Sequence, residues 1–367
     1  MGRKRRLKLL NTQRNSIAAD RTQRIKIEMS NFWEMRARQR LGDGPEMSKD
    51  DKFLKMAYES QGDHEAGILQ EDGMELTATS CQKNPGHVCY FEASKFAKDN
   101  IPKPYNTNDI FACISELIFL TVKLIIKGTS GARPDNYDFA NSRLTRCGSG
   151  SIYIPDPEKR TRDDNCPCKK CKNYQNRTTD FGYIWVTTAK HVIYNDEEAQ
   201  RTKVWLNYDD VAKENVSKLH GHRLVVDNEE ADRCILECVT HDLSLCGKIN
   251  QARDRVKDFE RQFSKEFGDS EAPPLATLIS HPHGMPKRIG FGKDVKREFV
   301  KAENEDVEWT TYTYDAPTCT GSSGALVWLL GHERVGFKDN KITTHTHAKK
   351  EGLRNKSGRG LDYVKKC

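Results

Sequence analysis

From residue 146 onward the chain is written in short runs of β-branched and aromatic residues separated by turn signals, and this regularity limits its fold more than any other feature. "GSGSIYIP", "YIWVTTAKHVI", "TKVWLNY", "HRLVV", "CILECVTHDLSLC", "PLATLISHP", "RIGFGKDV", "VEWTTYTYDAP" and "GALVWLL" each have strand length and composition. Such runs, sustained over about 200 residues, imply a barrel or a sandwich. One segment breaks the pattern: in "NQARDRVKDFERQFSKEFG", Val256, Phe259, Phe263 and Phe267 recur at spacings of three and four, on one face of a helix. Its position suits a connector between two β units.

Upstream the texture differs. Residues 1–105 are charged, punctuated by Gly and Pro and weakly periodic, which predicts a basic, loosely helical or disordered extension with a short helical candidate at "NFWEMRARQRL". "NDIFACISELIFLTVKLIIKG", residues 108–128, reads as one helix with Asn108 and Asp109 as caps and Gly128 as its stop. Glu116 and Lys123 interrupt it and it falls short of about 20 clean apolar residues, so it is expected to pack on a protein core rather than span a membrane. The boundaries read from the sequence are therefore an extension to 105, a helix and lead-in over 106–145, a β domain over 146–350 and a basic tail over 351–367.

The composition, 36% hydrophobic and 31% charged over 367 residues, is globular at the polar end. The formal charge of +7 is uneven: residues 1–40 carry twelve Lys/Arg against three Asp/Glu, a net of +9. Such an arm is either solvated or a weak contact for an anionic partner, nucleic acid or an acidic surface. No apolar run of signal-peptide length follows the basic start, so the expectation is an intracellular protein, cytoplasmic or nuclear, whose twelve cysteines are reduced thiols or metal ligands. Cys166, Cys168 and Cys171 in "CPCKKC" have the spacing of zinc ligands. The fourth ligand is open among Cys147, Cys234, Cys238 and a histidine, and free thiols on an exposed loop are the alternative.

"TCTGSSGAL", residues 318–326, is either a small-residue turn or the seat of a nucleophile, and serine needs a base, an orienting carboxylate and an oxyanion site to serve as one. His191 follows an apolar run in "WVTTAKHVI", and Asp242 stands at the mouth of another in "VTHDLSLC". In that order "TTAKH", "HDLSL" and "TGSSGA", with "RCGSGSIYI" as an opening strand, resemble the signatures of the trypsin-like serine proteases of the chymotrypsin fold. The resemblance covers residues 146 to about 348. It implies two six-stranded antiparallel β-barrels, the first over about 146–248, a connector helix over about 249–268 and the second barrel over about 272–350. It also implies a Ser-His-Asp triad of Ser323 as nucleophile, His191 as general base and Asp242 as its orienting carboxylate, with an oxyanion hole from the backbone of Gly321 and Ser323. The substrate would be a peptide or protein, and catalysis would require no cofactor.

Departures from the family pattern carry information. Ser322 stands where secreted members commonly have the Asp that pairs with a new N-terminus, so the chain is more similar to members that fold directly into a competent state, such as the high-temperature-requirement proteases. Pro317 occupies the position of the Asp that selects Lys or Arg, which argues against that specificity. Thr318 beside it, with His345 and His347 downstream, resembles the Thr/Ser and His pair with which picornaviral and staphylococcal glutamyl-type proteases bind Gln or Glu. Two rival readings remain at this point: a catalytically silent protease-fold scaffold that binds a peptide, and a basic, zinc-stabilised nucleic-acid-binding protein.

Overall fold

The computed structural model describes residues 63–64, 67–69, 81, 83–133, 143–156, 165–172, 180–229, 231–268, 274–293, 295–332, 343–348 and 355–363. The basic arm of residues 1–40 and its helical candidate lie outside them.

The described chain opens with three two-residue strands, β1 (Asp63–His64), β2 (Gly67–Ile68) and β3 (Phe91–Glu92). Helix α1 follows (Asn108–Leu120), capped not by Asn108 but by Thr107, whose hydroxyl accepts the Ile110 N–H at 3.2 Å. The expected continuous helix to Gly128 is corrected here. Thr121 ends it, and Thr121–Lys127 is a strand, β4. The β-branched run Thr121, Val122, Ile125 and Ile126 favours extended backbone over another helical turn.

β4 pairs with β5 (Thr145–Tyr153) and with β7 (Thr202–Leu206). A short helix, α2 (Lys169–Lys172), precedes β6 (Gly182–Thr188), and α3 (Asp196–Arg201) precedes β7. With β8 (Ser217–Asn228) and β9 (Arg233–Thr240), the order β5-β4-β7-β8-β9-β6 closes through a β5–β6 pairing into a six-stranded antiparallel barrel, and β2 adds to β5. The barrel thus begins at Thr121 rather than at residue 146.

Helix α4 (Leu243–Phe267) leads to the second sheet. Its Val256 and Phe263 are buried and Phe259 and Phe267 partly so, as the spacing predicts. Phe263 meets Trp328 edge-on, and α4 packs along α1, tied by Arg255 to Glu116 at 2.6 Å. The second sheet holds β10 (Ala276–Ser280), β11 (Arg288–Gly292), β12 (Lys296–Ala302), β13 (Val307–Tyr314), β14 (Leu326–Leu329), β15 (Thr343–Ala348), β16 (Asn355–Ser357) and β17 (Gly360–Tyr363). With β1 and β3 it has ten strands, and among the described residues it does not close into a second barrel.

Two further boundaries change. The stretch expected to be a basic C-terminal tail contributes β16 and β17, which pair with β13. The stretch expected to be a loose extension supplies β2 to the barrel and β1 and β3 to the second sheet. Each of these strands is two to four residues long, too short for periodicity to mark it. Among the described residues no helix is long and apolar enough to cross a membrane.

Two buried lysines join the barrel to the second sheet. Lys123 Nζ donates to Gly284 O at 2.6 Å and sits 4.8 Å from the centre of the Tyr208 ring. Lys287 Nζ donates to Ile118 O at 2.6 Å and pairs with Asp209 at 2.8 Å. Ammonium groups this deeply placed require such partners, because an unpaired charge in the interior is costly. They position the turn Pro282–Gly284 against the barrel.

Candidate active site

His191 lies on the corner that follows β6 and is buried. Its Nδ1 is 2.7 Å from Asp232 Oδ2, and its backbone N–H donates to Asp232 Oδ1 at 3.0 Å. One carboxylate thus holds both the ring and the backbone, which fixes the ring's rotation and places the proton on Nδ1. Asp232 is itself held: its N–H donates to Glu229 O at 3.1 Å and its carbonyl accepts the Lys190 N–H at 3.2 Å.

The expectation for Asp242 is corrected by this geometry. Asp242 is the N-cap of α4, accepting the Leu245 N–H at 2.9 Å. "HDLSL" reads as a strand mouth because its apolar residues alternate, but an Asp before a helix finds unsatisfied N–H groups to accept. The signal that was missed lies in "ADRCILECV": Asp232 leads straight into β9, where Cys234, Leu236 and Cys238 alternate into the core.

Behind the histidine corner is a buried ion network. Glu198, at the end of the first turn of α3, takes Arg133 Nε at 2.6 Å and Nη2 at 2.8 Å, and Arg146 Nη2 at 3.0 Å. The N–H groups of Ser130 and Tyr194 also donate to it, each at 3.0 Å. Arg133 extends the network to the corner by donating to His191 O at 3.0 Å. Burial alone would raise the Glu198 carboxyl, but the two guanidinium groups and the Ser130 N–H outweigh it and hold the group at about 2.

Ser323 sits in the turn before β14 and is buried. The turn is built around two glycines. Gly324 has φ +82°, and a Cβ there would lie 2.0 Å from Thr188 Oγ1 and 2.4 Å from Ser149 O, so no other residue fits. Gly321 has φ +93° and a Cβ would lie 2.6 Å from His281 O. Within the turn Ser322 N–H donates to Cys319 O at 2.9 Å, Ala325 N–H to Ser322 O at 3.0 Å and Gly324 N–H to His345 O at 2.8 Å. The Ser322 hydroxyl is engaged with Ser280 Oγ at 3.1 Å and the Cys319 N–H at 3.2 Å, which suits a structural part.

Ser149 of β5 reaches this turn from the barrel. Its N–H donates to Ser323 O at 2.8 Å and its Oγ to Gly321 O at 2.9 Å, while Oγ accepts the His281 N–H at 2.9 Å. Its own carbonyl accepts Thr188 Oγ1 at 2.8 Å, at the end of β6 and three residues before His191. The opening strand therefore stands between the histidine corner and the serine turn and bonds to both sides. Gly148 allows the close approach, since a Cβ there would be 2.6 Å from Val192 Cγ1 and 3.2 Å from Ser323 O.

The residues expected to line a specificity pocket divide. Pro317 packs against β11, where a Cβ on Gly290 would meet its ring at 2.6 Å. Thr318 Oγ1 donates to Asn355 Oδ1 at 2.8 Å and accepts Lys83 Nζ at 2.6 Å, and Lys83 also reaches Asn355 Oδ1 at 3.2 Å. Neither Lys83 nor Asn355 was singled out from the sequence, because both come from segments read as extension and tail. His345 lies beside the Ser323 turn, with its backbone bonded to Gly324 and Ala325 and its Nδ1 2.6 Å from the Tyr314 hydroxyl. The backbone of His347 pairs with His64 and Lys356.

Cys166, Cys168 and Cys171 converge on one imidazole. His241 Nε2 is 3.3, 3.6 and 3.5 Å from their three Sγ atoms, and its Nδ1 is 2.9 Å from Asp180 O, which orients the ring. Burial works against ionisation of Cys168, yet the Cys171 N–H and the His241 ring bring its thiol down to about 6. Of the other cysteines considered as a fourth ligand, Cys234 and Cys238 are buried in the barrel core and Cys147 packs with Leu69 and Ile125. A second group brings Cys81, His87, His283 and Cys319 together at the foot of the Ser323 turn.

No family model and no curated protein matches the sequence. Solved structures that are similar include the Rv3671c protease from M. tuberculosis in its active form, at 13% identity with a TM-score of 0.37, over 70% of this chain and 82% of that one. The inactive form of Rv3671c is similar at 11% identity with a TM-score of 0.33, over 70% of this chain and 88% of that one. The HtrA-type protease AlgW with tripeptide is similar at 13% identity with a TM-score of 0.36, over 67% of this chain and 58% of that one.

Proposed function

We propose that this chain is a serine-type endopeptidase in which Ser323 is the nucleophile, His191 the general base and Asp232, not Asp242, the orienting carboxylate. The observation that carries the reading is the double contact of Asp232 with His191, ring and backbone, on a corner that Ser149 and Thr188 link to the Ser323 turn. In the reaction Ser323 Oγ bonds to the scissile carbonyl carbon as its proton passes to His191 Nε2. The C–N bond then breaks as the leaving amine takes that proton, and water repeats the sequence to release the acyl group. Asp232 keeps Nδ1 protonated and stabilises the imidazolium. The backbone N–H groups of Gly321 and Ser323 are assigned to the oxyanion hole, where one lost donor costs about a hundred- to a thousandfold in turnover.

The pocket is assigned to an oxygen-rich side chain. In support, the Lys83 ammonium, the Thr318 hydroxyl and the Asn355 amide are bonded to one another, and His345 bonds through Nδ1 to the Tyr314 hydroxyl beside the Ser323 turn. The ammonium favours Glu over Gln. A structural Zn²⁺ is assigned to Cys166, Cys168, Cys171 and His241, a donor set of the Cys₃His type in which the Asp180 carbonyl orients the imidazole through Nδ1. Bound there, the ion would tie α2 to the end of β9.

Labelling with a fluorophosphonate tests the assignment. Wild type and Ser322→Ala are expected to react and Ser323→Ala not, with Asp232→Asn strongly slowed and Asp242→Asn unaffected. Folded wild type that does not label would favour the silent scaffold, a reading to which the burial of Ser323 and His191 lends weight.

A further inference from the structure

We propose that Cys81, His87, His283 and Cys319 form a second metal site, which takes Zn²⁺ and clips the segment Cys81–Tyr90 to the nucleophile turn. One ligand atom from each residue lies within 4.8 Å of every other. The two Sγ atoms are 3.6 Å apart. That is close to the edge of a tetrahedron with zinc–sulfur arms of about 2.3 Å, roughly 3.8 Å, and far from the bonded length of about 2.05 Å in a disulfide. The two imidazoles meet edge to face, with ring centres 5.0 Å apart and planes at 75°. His87 Nε2 is buried and has no hydrogen-bond partner among the described residues.

The chemistry of the donors selects the ion. Two thiolates and two imidazoles form a borderline-soft, four-coordinate set, which suits Zn²⁺ and excludes the hard oxygen-seeking cations. Both sulfurs are already supported, since Asn84 donates its backbone N–H to Cys81 Sγ at 3.3 Å and its Nδ2 to Cys319 Sγ at 3.0 Å. Donors of this kind stabilise thiolate charge and orient the sulfurs. The cluster shares no residue with the Cys166 group.

Its position gives it consequence. Cys319 is four residues before Ser323, and His283 donates its backbone N–H to Thr320 O, between Cys319 and Gly321. Residues between the first two ligands bond to the residue before Cys319: Lys83 to Thr318 Oγ1 and Asn84 Nδ2 to Thr318 O at 2.7 Å. Four groups from three separate stretches of the chain converge here, and a metal ion gives them a common bonding partner.

The test is metal content, which is indifferent to whether Ser323 is a nucleophile. Full-length protein purified with zinc present and dialysed against metal-free buffer is expected to hold two zinc ions per chain. Cys81→Ser and His87→Ala should each hold one, as should Cys166→Ser, which leaves the proposed site intact. X-ray absorption on the wild type needs no variant, and should average about 2.5 sulfurs per zinc if Cys₃His and Cys₂His₂ sites are both filled. A single zinc that survives Cys81→Ser and disappears in Cys166→Ser would overturn the proposal. So would an intact mass showing a Cys81–Cys319 disulfide.

Discussion

The two sides of the candidate active site are held by different forces. The His191 corner is fixed by charge: Asp232 grips the ring and the backbone, and behind it Glu198, Arg133 and Arg146 form a buried network that ends on His191 O. The Ser323 turn is fixed by close packing of backbone, with Gly321 and Gly324 at positive φ and Ser149 bonded to it twice. A charged scaffold is strong only while its members stay ionised, whereas the backbone bonds within the Ser323 turn carry no titratable group of their own. The difference teaches that acid should weaken the His191 side through Glu198, while the backbone bonds of the Ser323 turn do not themselves respond to pH.

The largest expected effect breaks the charged side at its tip. Asp232→Asn should lower kcat/KM by about 10⁴-fold by leaving the imidazole in the wrong tautomer, measured by the rate of fluorophosphonate labelling or of peptide hydrolysis. An Asp232→Asn protein that reacts like wild type would return the assignment to another carboxylate.

Next, Glu198→Gln should cost about 3–5 kcal/mol by leaving two buried guanidinium groups short of their partner, read as a fall in the denaturation midpoint. Its pH counterpart follows from the sign of the shift. Glu198 is held at about 2 against 4.5 for an ordinary glutamate, so the unfolded chain binds its proton first as pH falls. The stabilisation is full above about 4.5 and is lost as pH drops towards 2, to the extent of about 3 kcal/mol, whereas Glu198→Gln should show a correspondingly shallower acid slope.

On the packed side, Ser149→Ala removes an acceptor for the buried His281 N–H and a donor to Gly321 O. It should cost about 1–3 kcal/mol with no change in the acid slope, which would sharpen the contrast between the two sides. The smallest effect is expected at Asp242→Ala, about 1 kcal/mol from a lost helix cap, with turnover unchanged. A large loss of turnover there would reopen the assignment of Asp242.

Legibility followed the length of the signal. The long strands of the barrel, the connector helix and the glycine turn around Ser323 carry enough residues, or a strict enough conformational demand, to be read one at a time. β4 was hidden because Val122–Ile126 continues the apolar character of α1, and only the change to β-branched residues marks the switch. β1, β2, β3, β16 and β17 have no readable period, and each extends a sheet whose position is set elsewhere in the chain. At the site, His191 and Ser323 stand in distinctive local contexts. Asp232 and Asp242 do not, since each precedes apolar residues at alternate positions and only the following backbone, strand or helix, separates them.

The sequence by itself determined the mainly β class, the helix between two β units, the two glycines that a turn at Ser323 requires and the thiols of "CPCKKC". These are local properties, carried by backbone preference and spacing within a few residues. Only the tertiary structure decided which carboxylate meets His191, that His241 completes the first cysteine cluster and that Cys81 and His87 arrive beside His283 and Cys319. Those contacts join residues from about 40 to more than 200 positions apart, where loop closure costs little per added residue and leaves no mark in the local sequence.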